Sequence, residues 1–185
     1  MEGLKEKFRK KVIDEMIDEF DYKTPMAVPR LEKVSINIGI GEKIKGKSSD
    51  KQQEIIDYVV REIALITGQR PVVTKAKKSI SGFEIRKGDP VGVKVTLRDE
   101  KMNNFVEKLI NVVLPGLRDF RGLNPDSVDN SGNFTLGIEE HISFPEIPAD
   151  ERDDILSLQI TITNTAEERE EGLALLKKLG FPFSK

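Results

Sequence analysis

Apolar residues recur along the chain at two periods, and each period predicts its own elements. Over residues 4–20, Leu4, Phe8, Val12, Met16 and Phe20 stand four apart, joined by Ile13 and Ile17. This is one apolar stripe, the mark of an amphipathic helix. Pro25 and Pro29 end it. A second helix is predicted over 50–67, where Ser49 and Gln52 have capping-box spacing and Gly68 gives a stop. A third runs over 100–114: Asp99 can cap it, Met102, Phe105, Val106, Leu109, Ile110 and Val113 form its stripe, and Pro115 follows. The last is announced by Thr165 and Glu168, carries Leu173, Leu176 and Leu179, and stops at Gly180.

The second period is two. Over 31–40, Val34, Ile36, Ile38 and Ile40 oppose Lys33, Ser35, Asn37 and Gly39. Over 91–97, Val91, Val93, Val95 and Leu97 oppose Gly92, Lys94 and Thr96, with Arg98 continuing the polar set. Over 155–163, Leu156, Leu158, Ile160 and Ile162 oppose Ser157, Gln159, Thr161 and Thr163. Strict alternation puts one face on a core and leaves the other open. Shorter strands are predicted at 72–74 and 134–138, and residues 81–86 and 91–97 read as a hairpin through Lys87-Gly88-Asp89-Pro90. The order predicts an α+β fold, a mostly antiparallel sheet with helices packed on one face and the other face open. At 185 residues the chain fits a single domain, 1–185.

The open faces suggest chemistry. A face built only for solubility carries more Glu and Lys. Here Lys33, Ser35, Asn37, Gly39, Gly92, Lys94, Thr96 and Arg98 offer amides, hydroxyls, cations and bare backbone, groups suited to phosphate and ribose oxygens. Exposed aromatics for stacking bases are missing from them, which favours shape and backbone recognition. A second candidate is the loop at 74–90, where Lys75, Lys77 and Lys78 stand beside Ser79, Ser81 and Gly82. Lysine on a loop is a mobile point charge for phosphates.

Net charge is −2, with 30 Lys+Arg against 32 Asp+Glu, unlike most nucleic-acid binders. The average conceals segregation. Residues 70–89 hold six cations and two anions, a local +4, whereas 139–154 hold seven anions and one cation, a local −6. Attraction to phosphate follows the local field, so a basic RNA surface and an acidic, protein-facing one are both compatible with the total. Cysteine is absent, which removes disulfides, thiolate nucleophiles and Cys-based zinc sites. No run approaches the ~20 apolar residues of a membrane helix, and the charged start, Glu2-Gly3-Leu4-Lys5-Glu6, lacks the apolar run of a signal peptide. A soluble cytoplasmic protein without membrane partner or cofactor is expected.

One enzyme motif competes. Gly41-Glu42-Lys43-Ile44-Lys45-Gly46-Lys47-Ser48 satisfies GxxxxGK[ST] between a strand and a helix. Against it, P-loop strands are apolar on both faces, and no apolar strand ends in the Asp that would hold the metal. His141, the single histidine, has no evident catalytic partner in the sequence and is expected to be a structural or surface residue rather than a catalyst.

Ordered segments then resemble a known family. They are Val28-Pro29-Arg30-Leu31-Glu32-Lys33-Val34, Asn37-Ile38-Gly39-Ile40-Gly41, Thr67-Gly68-Gln69-Arg70-Pro71, Thr74-Lys75-Ala76-Lys77-Lys78-Ser79-Ile80 and Gly82-Phe83. Gly92-Val93-Lys94-Val95-Thr96-Leu97-Arg98, Arg118-Asp119-Phe120-Arg121-Gly122, Phe144-Pro145-Glu146-Ile147 and Phe181-Pro182-Phe183 follow. Together they resemble the bacterial-type large-subunit ribosomal protein number five, the 5S-rRNA-binding protein of the central protuberance. The resemblance implies a non-catalytic ribosomal component with 5S rRNA and large-subunit rRNA as partners. It implies 5S rRNA against the strands carrying Asn37 and Gly39, and Lys94 and Thr96. It also implies P-site tRNA at the lysine loop, and a small-subunit head protein bridged by loop 144–154 through Glu146, Asp150, Arg152 and Asp153. This chain departs from the family at Asn130-Ser131-Gly132-Asn133-Phe134, where Gly-Arg-Gly-Asn-Tyr is usual, and at Pro148-Ala149-Asp150-Glu151 in the bridging loop. Glu84 also stands where a lysine is common.

Overall fold

The computed structural model describes residues 3–83, 85–118, 120–147 and 155–184. Strands β1 (Leu31–Gly39), β2 (Val72–Lys75), β3 (Pro90–Leu97), β4 (Phe134–Ile138) and β5 (Leu158–Asn164) form an antiparallel sheet in the order β2-β3-β1-β5-β4. Helices α1 (Leu4–Lys7), α2 (Ile13–Phe20), α3 (Gly41–Ile44), α4 (Ser49–Thr67), α5 (Asp99–Lys108), α6 (Leu114–Gly116) and α7 (Arg169–Leu179) complete an α+β fold. The chain divides into two compact units, residues 1–34, 98–136 and 161–185 in one and 35–97 and 137–160 in the other, so the division falls inside β1, β4 and β5.

In the first unit the helix expected over 4–20 is continuous but not uniform: a π-helical turn, Phe8–Val12, joins α1 to α2. The stripe explains it. Residues four apart drift by about 40° per step on an α-helix, so Leu4 and Phe20 would end about 160° apart; one π-turn absorbs a residue and cuts this to about 60°. Leu4, Val12 and Met16 are accordingly buried. A second π-turn, Leu109–Val113, joins α5 to α6 and buries Leu109 and Val113. Pro115 lies in α6, and helical structure ends at Gly116, one residue beyond it. α7 buries Leu175, Leu176 and Leu179, and Lys7 Nζ donates to the Leu179 carbonyl at 2.8 Å, satisfying an orphan acceptor of its last turn.

In the second unit α4 lies on β2 and β3. Val59, Ile63 and Ile66 meet a core that includes Val93, Val95 and Leu97. Each such side chain contributes about 1.5–3 kcal/mol on leaving water. His141 and Glu62 are both fully buried here. The Leu156 N–H donates to His141 Nδ1 at 3.2 Å, so in the neutral ring Nε2 carries the proton. Nε2 lies 3.4 Å from the Tyr58 hydroxyl and 3.8 Å from Glu62 Oε2. His141 is therefore a structural fastener between α4 and the segment preceding β5.

Four expectations are corrected. The hairpin partner of β3 is β2, with Val72 opposite Lys94, Val73 opposite Val93 and Thr74 opposite Gly92. Residues 81–86 instead hold a 3-10 turn, Ser81–Phe83, and a single bridge between Ile80 and Ile85. The late strand begins at Leu158 rather than 155. The capping boxes do not form, and one side chain of each has another partner. Gln52 donates to the carbonyls of Ile44 and Lys47, and Thr165 Oγ1 accepts the Arg30 N–H at 3.0 Å. Asp99 is the first residue of α5, at φ 50°, and makes no side-chain cap.

Candidate nucleic-acid interface

Alternation in the second unit turns Ile36, Ile38, Val93 and Val95 inward. It leaves Ser35, Asn37 and Thr96 half-buried and Gly39 and Lys94 exposed on the other face. Thr74 and the largely exposed Val72 continue this face on β2, and Gln159 does so on β5. Gly92 sits among them but is buried: a Cβ there would lie 2.9 Å from the Ile38 carbonyl oxygen and 3.0 Å from Thr74 Oγ1. Its bare backbone serves close strand packing. Lys33 and Arg98 belong to the first unit, Lys33 beside Glu32 at 3.8 Å and Arg98 exposed. Thr135 and Thr161 of that unit share a hydrogen bond at 3.3 Å across β4 and β5.

Gln69, which the alternation does not mark, follows the left-handed Gly68 cap of α4 and donates to the Thr96 carbonyl at 3.0 Å. Helix end and strand end are thereby tied together beside the polar face.

The cationic loop is a closed structure. Ala76 N–H donates to the Asp89 carbonyl at 2.8 Å and Gly88 N–H to the Ala76 carbonyl at 2.9 Å. Further out, Ile80 and Ile85 exchange both backbone bonds, and the Ser79 hydroxyl accepts the Lys87 N–H at 2.9 Å. Lys75, Lys77, Lys78, Ser79, Ser81 and Gly82 are exposed on this frame. None of Lys75, Lys77, Lys78, Arg86 and Lys87 forms an ion pair among the described residues. Helix cations differ: Lys11 pairs with Glu15, and Lys178 with Glu15 and Glu19. The loop's charge is left available to an outside anion.

Between Gly39 and Gly137 the polar face dips into a depression of about 400 Å³, lined also by Asn37, Glu139, Ser157 and Gln159. Ser157 and Gln159 were legible as polar-face positions; Gly137 and Glu139 carried no signal, since their place across β5 from β1 depends on the order of strands. Of the acidic loop, Glu146 is exposed, while Asp150, Arg152 and Asp153 lie outside the described residues.

The Walker-like stretch is not a phosphate cradle. Gly41–Ile44 is the short helix α3, and the N–H groups of Ile44, Lys45 and Lys47 donate to the carbonyls of Ile40, Gly41 and Ile44. These three backbone donors are spent inside the loop and not turned toward a phosphate. Among the described residues, no cluster of His, Asp and Glu could hold a metal ion and no helix is long and apolar enough to cross a membrane.

The fold presents a polar sheet face and a cationic loop whose lysines form no ion pair among the described residues, features compatible with a nucleic-acid-associated protein. Two family models match: "Ribosomal protein L5" over residues 24–86, and the model for the C-terminus of the same ribosomal family over 90–183. Among curated proteins, the chain is 50% identical over 184 residues to large ribosomal subunit protein uL5 of Halothermothrix orenii, covering 100% of this chain and 99% of that one. It is 51% identical over 180 residues to uL5 of Trichodesmium erythraeum (97% and 96% covered) and 52% over 182 residues to that of Kosmotoga olearia (98% and 96%). The chain belongs to the ribosomal protein L5 family, in its bacterial-type form. It is a structural, non-enzymatic component of the large ribosomal subunit, located with the ribosome in the cytoplasm.

Proposed function

We propose that within the large subunit this chain, acting as one RNA-binding domain over residues 1–185, docks 5S rRNA on the polar face of its sheet. The observation that carries this is the set of side chains there with no partner inside the protein: the amides of Asn37 and Gln159 and the ammonium of Lys94 make no hydrogen bond or ion pair among the described residues. Unsatisfied polar groups held in a flat array suit the ribose and phosphate oxygens of a folded RNA. The closed loop with Lys75, Lys77 and Lys78 is assigned to P-site tRNA and neighbouring rRNA. The acidic segment with Glu146, Asp150, Arg152 and Asp153 is assigned to a protein of the small-subunit head, a reading supported by charge segregation and family resemblance.

Filter binding of the full chain to 5S rRNA tests the first assignment. The expected outcome is salt-sensitive binding that falls about tenfold, or ~1.4 kcal/mol, in Asn37→Ala/Thr96→Ala. Absence of 5S rRNA binding at low salt, or full affinity in the double variant, overturns it.

A further inference from the structure

The depression on the sheet face has chemistry of its own. Gly39 and Gly137 line it, and a Cβ at either would meet no atom within 4 Å. The space lies where two side chains are missing. Around it stand the amides of Asn37 and Gln159, the Ser157 hydroxyl and the Glu139 carboxylate, none with a hydrogen-bond or ion-pair partner among the described residues.

Glu139 decides what can enter. A phosphate would meet its negative charge at short range, which is unfavourable. A nucleobase is neutral, and its edge combines donors and acceptors. Carboxylates accept only; amides both donate and accept. Guanine alone among the four bases presents two adjacent donors, N1–H and N2–H, beside the O6 acceptor. Those donors fit a carboxylate, and O6 fits an amide N–H. The other bases offer at most one of the two donors at that edge.

We propose that this depression receives one unpaired guanine extruded from the bound RNA, with Glu139 accepting from N1–H and N2–H and the Asn37 or Gln159 amide donating to O6. Recognition here is then base-specific, in addition to the backbone contacts on the rest of the face. Extrusion is least costly for a base already outside a helix, and such bases are the usual targets of sequence-specific RNA readout. The inference rests on the 5S rRNA reading above.

The test is kethoxal probing of 5S rRNA, which modifies N1 and N2 of accessible guanines, with the full chain and two variants. Gly137→Val fills the depression at an open strand position where valine is favoured, and circular dichroism verifies that it folds. Glu139→Gln keeps the shape and removes the charge. With the unaltered chain, one guanine reactive in free RNA is expected to become protected. In Gly137→Val this protection is expected to disappear and affinity to fall about tenfold, while Glu139→Gln weakens protection of that guanine alone. The site is overturned if no guanine is protected by the unaltered chain, or if Gly137→Val binds with wild-type affinity and pattern. Failure of the unaltered chain to bind 5S rRNA at all removes the parent reading and this site with it, an outcome distinct from a defect confined to the variant.

Discussion

Gly132 and Gly172 show how a single missing Cβ can fix a local structure. Gly132 has φ 75°, and a Cβ on it would lie 2.8 Å from the Gly172 Cα and 3.1 Å from the Ala166 Cβ. The loop around it is held by Asp129 Oδ1, which accepts the N–H groups of Ser131 at 3.0 Å and Asn133 at 2.8 Å, and by Asn164, whose side chain donates to the Gly132 carbonyl. Gly132→Ala is expected to cost about 2–4 kcal/mol in urea denaturation, combining left-handed backbone strain with overpacking. Gly39→Ala, with nothing nearby and an ordinary strand backbone, is expected to be close to neutral. The sequence showed both glycines within family-like motifs, but it could not separate them. One glycine answers to a residue forty positions away and the other to open space. The same holds for Glu62 and His141: each type was readable alone, and their burial together is a product of the fold.

Whole elements were legible where their period was long and regular. The stripe at 4–20 and the alternation in β1, β3 and β5 needed no tertiary information. Strand pairing did, because four-residue β2 has too few positions to show alternation and gains its register from Val73 opposite Val93. Capping boxes misled because spacing alone does not say whether Gln52 or Thr165 has a better partner. The π-turn offers an element-scale prediction. Deleting Lys10, exposed within Phe8–Val12, restores α-helical winding while both flanks keep their faces. Cooperative thermal unfolding, followed by circular dichroism, is expected to survive that deletion. Deletion of the exposed Asp57 from α4 rotates the preceding turns by about 100° relative to their core and is expected to abolish it.

At the scale of the molecule, cations differ in whether they are already paired: Lys11 and Lys178 on helices are engaged with carboxylates, whereas Lys75, Lys77 and Lys78 of the loop form no ion pair among the described residues. If loop and sheet face serve different RNAs, the salt dependence of binding separates them. Lys77→Ala/Lys78→Ala is expected to flatten the slope of log affinity against log salt for tRNA by about 1.5. The slope for 5S rRNA should be unchanged; a matching change there would merge the two sites. Eight residues of the sheet face could be nominated from alternation, but the depression required the strand order, which no local pattern encodes. That order also sets a schedule. β5, the last strand to be translated, lies between β1 and β4. A nascent chain therefore carries two unpaired strand edges until residue 164 has left the exit tunnel, the kind of template that invites wrong pairing. A component of the large ribosomal subunit thus depends, late in each synthesis, on its own C-terminal strand arriving before a neighbour's.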